Sequence, residues 1–201
     1  MGEELHLDQK KHLVFDIITA LLGLFLVLTL FLPWWHFDVV AEGVLQADLS
    51  INGFGFGGGK YRTLTEGLKQ TDLESLHLLI QGIILLLLAI PLIFNTFRPL
   101  SKNGIKKTKI KIILSSIILT IVIFWLIFYG YYEVKFTNTG ETYQFQDILE
   151  VDLRLRIMRH YGDYGIHYGA VLAFFIGLSL VLTSLIEYNF KIPPIKEQEV
   201  E

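Results

Sequence analysis

The chain contains no cysteine. Disulfide staples, thiol nucleophiles and thiolate metal ligands are therefore excluded, and any extramembrane loop must hold its shape by packing and hydrogen bonding. There is no Asn-x-Ser/Thr sequon to mark a glycosylated loop. A basic face suited to nucleic acid is lacking too, since 17 Lys and Arg stand against 20 Asp and Glu and gather in only one short segment. Charge is scarcest where it would count most. Four apolar runs, roughly Ile17–Trp35, Leu76–Phe97, Ile112–Tyr132 and Ile166–Ile186, hold almost no ionisable residue, whereas transporters, proton relays and channels keep such groups at membrane depth. No Ser/His/Asp set or carboxylate pair is placed for catalysis, so the expectation is a protein that is not an enzyme and carries no cofactor.

What is present is apolar. Hydrophobic residues make up 52% of 201, and the mean hydropathy is +0.50. Each run approaches the ~20 residues that a helix rising ~1.5 Å per residue needs to cross ~30 Å of hydrocarbon. The expected fold is membrane all-α, a bundle of four transmembrane helices with a small extracellular antiparallel β-sheet drawn from two outer loops. One domain covers 1–201, with outer loops at 36–75 and 133–165 and a cytoplasmic loop at 98–111.

The basic segment sets the orientation. Arg98, Lys102, Lys106, Lys107, Lys109 and Lys111 occur with no acid among them, while Phe37–Glu74 holds three bases against six acids. By the positive-inside rule the basic loop and both termini are cytoplasmic, and the protein is expected to be multi-pass in the plasma membrane. Lys10 and Lys11 before the first run, with no small-residue cleavage site after it, read as a retained signal anchor.

The outer loops carry strand patterns. Gln46–Asn52 alternates, placing Ala47, Leu49 and Ile51 on one face, with Phe37–Glu42 as a weaker partner. Glu133–Phe136 and Thr142–Gln146 flank Asn138-Thr139-Gly140 as a hairpin. Glu150–Met158 fits a strand by alternation and a helix by the Glu150/Arg154 and Asp152/Arg156 spacing.

Several features could carry chemistry. Gly53–Lys60 superficially looks like a phosphate loop, but Phe54 and Tyr61 stand where Gly and Ser/Thr are needed. It reads instead as a flexible turn whose Phe54 and Phe56 form a partner-binding or membrane-dipping tip. His36, His160, Asp163 and His167 lie near the outer boundary as weak metal candidates without a recognised ligand spacing, and interfacial histidine is the plainer reading. Tyr161, Tyr164 and Tyr168 would share a helical face at headgroup level, as an aromatic belt or, for Tyr161 and Tyr164, as partner contacts. Trp34, Trp35, Trp125, Tyr129, Tyr131 and Tyr132 would join the same girdle. Gly165, Gly169, Ala173 and Gly177 recur every fourth residue, a groove for another helix inside or outside the chain. Asp16 is the one acid near a run interior and reads as snorkelling to the cytoplasmic surface, with Gln81 the main polar residue of the second run.

The order of a first run closing in Leu32-Pro33-Trp34-Trp35, a long β-rich loop, paired runs, a shorter loop and a Gly165-Ile166-His167-Tyr168-Gly169 entry to the last run resembles uncharacterised prokaryotic four-span proteins. In layout it is also similar to the claudin and peripheral-myelin-protein group. The resemblance transfers no site residue: claudins carry a Gly-Leu-Trp element and two cysteines in the first outer loop, and Phe37–Glu74 has neither tryptophan nor cysteine. Function then divides two ways. One reading is a non-enzymatic structural or interaction protein whose partners are the bilayer and a second copy or another membrane protein. The other is an accessory subunit of a transport or enzyme complex, with metal at the outer histidines.

Overall fold

The computed structural model describes residues 2–41, 44–63, 67–97, 104–137, 139–140, 142–144 and 161–191. The order of elements is α1 (Gly2–Thr29), β1 (Pro33–Ala41), β2 (Val44–Asn52), β3 (Phe56–Thr63), β4 (Gly67–Glu74), α2 (Leu76–Phe97), α3 (Gly104–Phe128), a 3-10 turn (Tyr129–Tyr131), β5 (Glu133–Phe136), β6 (Thr142–Gln144), β7 (Tyr161–Ile166) and α4 (Tyr168–Lys191). Glu150–Met158 lies outside the described residues.

The strands form one antiparallel sheet in the order β6-β5-β4-β3-β2-β1-β7, curled as a half-barrel. This overturns the expected all-α class with a small sheet. A seven-stranded layer is a second architectural half. Of its extra strands, β3 and β7 come from stretches whose glycines hide the alternation, while β4 puts Lys69 and Thr71 on its inner row beside Leu73. The Gly57-Gly58-Gly59 run is the interior of β3, paired with Ser50, Leu49 and Ile51 on one side and with Thr71, Asp72 and Leu73 on the other, rather than a flexible turn. Where β2 pairs with β1, Leu49 and Ile51 face Phe37 and Trp35. Together with Ala47, Leu73 and Val134 these residues are buried. The opposite face of the central strands carries Asp48, Lys60, Arg62, Gln70, Asp72 and Glu74, all exposed. The sheet is two-faced, as antiparallel sheets with one packed side are.

Three helices are long and apolar enough to cross a membrane, with candidate spans Leu76–Asn95, Lys107–Phe128 and Tyr168–Phe190. This number holds among the described residues. The four-span bundle is corrected accordingly: the apolar part of α1 is the shorter Leu13–Thr29, because α1 stops at Thr29 and Pro33-Trp34-Trp35, expected to close a span, open β1 instead. Pro33 has no N–H to continue a helix, and i→i−3 hydrogen bonds at residues 30–32 finish α1 before the chain enters the sheet.

The helices join the sheet directly. One to four residues separate α1 from β1, β4 from α2, α3 from β5 and β7 from α4. Near these junctions lie the largest fully buried side chains among the described residues. Trp34, Trp35 and Trp125 are fully buried, not part of an interfacial girdle. Trp34 meets Trp125 edge-on at 5.1 Å and donates its indole N–H to the carbonyl of Thr29 at 2.8 Å, closing the end of α1. Trp35 stacks on Phe37 at 5.9 Å. Tyr131, 63% exposed, keeps the outward position expected for a belt residue.

The small residues of the last run divide between two elements. Gly165 belongs to β7 with φ +117°, while Gly169, Ala173 and Gly177 lie in α4. A Cβ at Gly169 would sit 2.5 Å from the carbonyl oxygen of Pro33 and 2.8 Å from the Trp34 ring, and one at Gly177 would touch Leu119 of α3 at 3.4 Å. The last helix is therefore seated inside its own chain. Gly169→Leu is expected to cost roughly 1–3 kcal/mol by overpacking, whereas Val171→Leu, at a position 41% exposed, leaves the detergent melting temperature nearly unchanged. Equal melting temperatures for the two variants would remove the close seat from the account.

Candidate functional site

At the helix ends away from the sheet, four ionisable side chains meet. Asp16 of α1 lies between Lys107 and Lys111 of α3, with Lys107 Nζ donating to Asp16 Oδ2 at 2.9 Å and Lys111 Nζ to Oδ1. Lys111 also donates to Glu187 Oε2 of α4 at 2.9 Å, and the Thr108 hydroxyl donates to Glu187 Oε1 at 3.2 Å. Lys111 and Glu187 are 0% and 1% exposed. Two carboxylates and two ammoniums sum to zero charge, and each buried charge has an opposite partner, the condition under which such groups persist away from water. The emptiness read from the apolar runs is thus corrected at one end. Asp16 is 7% exposed and paired rather than snorkelling, and Lys107 and Lys111 are helical and engaged rather than free loop charge.

The backbone explains the meeting. Lys107, Thr108 and Lys111 stand at i, i+1 and i+4 on α3, so the two lysines and the threonine share one side of that helix. α3 packs against α4, and α1 packs against both α2 and α4. α2 joins this end differently, through Asn95 Nδ2 donating to the carbonyl of Lys107 at 3.4 Å.

At the opposite pole the sheet assembles part of the expected outer constellation. The His36 and His167 rings lie 5.1 Å apart, and the backbone N–H of His167 donates to the Trp34 carbonyl at 2.9 Å. Register places Asp163 beside Asp38, and Asp38 beside Asp48, so three aspartate positions line up across β7, β1 and β2. Lys60 follows opposite Asp48 and offsets the like charges. His160 lies outside the described residues. Among the described residues no group of three His, Cys, Asp or Glu side chains could hold a metal ion.

Compared with protein-family models and with curated proteins, the chain matches none.

Of the expected partner contacts, Phe54 and Phe56 part company. Phe54 packs at 5.2 Å against Phe31, and its backbone N–H donates to Asn52 Oδ1 at 2.9 Å in a local turn. Its ring is partly buried between the turn after α1 and Gly82 of α2. Phe56, 49% exposed, stays on the outer surface. Tyr161 and Tyr164 belong to strand β7, paired with Val40 and Phe37, so they cannot share a helical face with Tyr168.

One polar group inside the helices has company that sequence reading missed. Gln81 of α2 is buried, accepts from the Tyr132 hydroxyl at 3.2 Å and donates to the Ile121 carbonyl at 3.4 Å. His77 stacks on Tyr132 at 5.3 Å. Burial pushes the Tyr132 phenol above its ordinary 10.0, so at neutral pH it remains a hydroxyl donor. The i, i+4 spacing of His77 and Gln81 was the available signal, and nothing in the sequence tied it to Tyr132 fifty residues away.

Proposed function

We propose that this is a multi-pass plasma-membrane protein with both termini cytoplasmic, working without catalysis: its helices anchor an extracellular sheet that docks another membrane protein or a second copy of the chain. The observation that carries the reading is the set of short sheet-to-helix connections, which make the sheet a rigid platform rather than a pair of mobile loops. Its exposed face is polar with isolated apolar points, Phe56 at 49% and Leu68 at 44% exposure. Its outer strands β6 and β7 lie at the ends of the order, where strand addition takes place. The orientation rests on the sequence from Arg98 to Lys111, which contains six bases and no acid, four of them besides Lys107 and Lys111.

The absence of native cysteine makes the test direct. A cysteine at Gln70 is expected to label with an impermeant thiol reagent in intact cells, and one at Asn103 to be shielded. A defined complex or oligomer recovered from detergent is expected to be weakened by Phe56→Ser with Lys60→Glu, at unchanged melting temperature. Phe54 is left alone because its loss would loosen the sheet itself. Labelling at Asn103 alone would reverse the orientation, and a complex indifferent to the Phe56/Lys60 change would remove the platform. A second reading, an accessory subunit of a transport complex, is favoured by the buried Asp16, Lys107, Lys111 and Glu187. It requires activity of the complex to fall with Lys111→Met under conditions where the chain stays folded. Stoichiometric zinc or copper lost with His36→Ala would favour its metal-binding form.

A further inference from the structure

Between α2 and α3 lies a cavity of about 340 Å³ lined by His77, Ile80, Gln81, Ile84, Thr120, Ile121, Phe124 and Tyr132. That volume is at the small end of ligand sites, which span ~300–1,000 Å³. On α2 the lining residues stand at i, i+3, i+4 and i+7, a single stripe about 10 Å long at ~1.5 Å per residue. Polarity changes along the stripe. At the sheet end are His77, exposed, and Tyr132, half-buried, with the Tyr132–Gln81 hydrogen bond just below them. Deeper, the walls are Ile80, Ile84, Ile121 and Phe124. Ile80, Ile84 and Phe124 remain 51%, 41% and 53% exposed, so the groove opens sideways, between two helices that can each cross a membrane.

We propose that this groove binds one membrane lipid, with a hydrocarbon chain along Ile80, Ile84, Ile121 and Phe124 and an ester, ether or hydroxyl oxygen of its interfacial region at His77, beside the Tyr132 ring. Three arguments select that occupant. The opening faces the hydrocarbon layer, where lipid is the surrounding solvent. The polar-to-apolar order runs from the helix–sheet junction inward, as it does along a lipid from interface to bilayer centre. The polar cap is also partly satisfied within the protein, since Gln81 accepts from Tyr132 and gives one of its two amide hydrogens to the Ile121 carbonyl. This leaves His77 to offer a hydrogen bond at interface depth, while the groove floor is apolar apart from Thr120, whose hydroxyl donates to the Ser116 carbonyl at 2.8 Å. The proposal requires α2 and α3 to lie in a bilayer and is independent of whether the sheet docks a partner.

The test uses the full chain, purified and delipidated in dodecyl maltoside and titrated with dioleoylphosphatidylcholine under native mass spectrometry. One adduct per chain is expected to survive at activation energies that strip the rest. Ile84→Trp and, separately, Thr120→Trp fill the groove and are expected to weaken that adduct at least about tenfold. Ile113→Trp, at a position on α3 that is 58% exposed and outside the groove, should keep wild-type retention. His77→Ala is expected to weaken binding less than the groove-filling changes do. Retention equal to wild type in both filled variants, or no adduct held above the annular background, would overturn the proposal. A dimer that dissociates with Ile84→Trp and holds no lipid would overturn it in favour of a protein helix in the same groove.

Discussion

Lys111→Met is expected to destabilise the protein by about 3–5 kcal/mol, the range for removing one partner from a buried ion pair. Lys111 is fully buried and its ammonium is shared between Asp16 and Glu187. Deleting it takes from Glu187, 1% exposed, the ammonium that pairs with its Oε2. Asp16 keeps Lys107, so Lys107→Met should cost less: its side chain is 10% exposed, and Lys111 still neutralises Asp16. Removing all four charges together, with Asp16→Asn, Lys107→Met, Lys111→Met and Glu187→Gln, should recover most of the loss, because the penalty lies in buried charge left without its counter-charge rather than in a missing net attraction. Thermal unfolding in detergent at constant pH checks all three. A Lys111→Met protein as stable as wild type would mean that the network adds nothing to the fold.

The second large effect is expected at Gly57. A Cβ there would fall inside the carbonyl oxygen of Ser50 and within 2.6 Å of the Ile51 Cα, and one at Gly59 would collide with the carbonyl of Asp48. Both obstacles are backbone of the neighbouring strand, and that strand carries Leu49 and Ile51 into the core. Relief therefore means separating β2 from β3 or lifting its buried residues. Gly57→Ala is expected to cost about 3 kcal/mol or more, the upper end of overpacking penalties, with loss of hydrogen-exchange protection across β2 and β3. Gly67→Ala supplies the contrast. Gly67 has φ +76° and nothing within 4 Å of its would-be Cβ, so only the backbone strain of about 1–2 kcal/mol is paid. If Gly57→Ala is the milder of the two, close strand approach is not what those glycines serve.

The sequence made the inner rows of β1 and β2 and the β5–β6 hairpin readable because Ala47, Leu49 and Ile51 alternate cleanly and Asn138–Gly140 punctuates. β3 was hidden because a strand that packs backbone against backbone has no side chains to show a period. β7 was hidden because Tyr161–Gly169 satisfies a helical spacing as well as a strand, and only pairing with β1 decides between them. Trp34 and Trp35 were misplaced for a related reason. An aromatic pair at the end of an apolar run looks the same whether it faces headgroups or a sheet. The ionic site was legible in part. Asp16 directly precedes Ile17, Lys111 directly precedes Ile112 and Glu187 directly follows Ile186, so three apolar runs end at one pole in charges of complementary sign. Reading each residue against its own run suggested water; reading the run ends against one another would have suggested a pair.

The charged cluster and the tryptophan junction also bear on how load would pass through the molecule. α1, α3 and α4 are fastened at one pole by shared ammonium and carboxylate groups and at the other by the Trp34–Trp125 contact and the seat of Gly169. A pull or twist on the sheet would therefore move these three helices as one strut. α2 is secured to α3 by two long amide-to-carbonyl hydrogen bonds, from Gln81 and Asn95. It also contains Pro91, whose missing N–H removes a rung of the helix. α2 sits closely on α1, where Ile93 lies against Gly23, so the slack falls on the face that α2 turns to α3, and a small opening along that face would widen the lipid groove while the α1 seam holds.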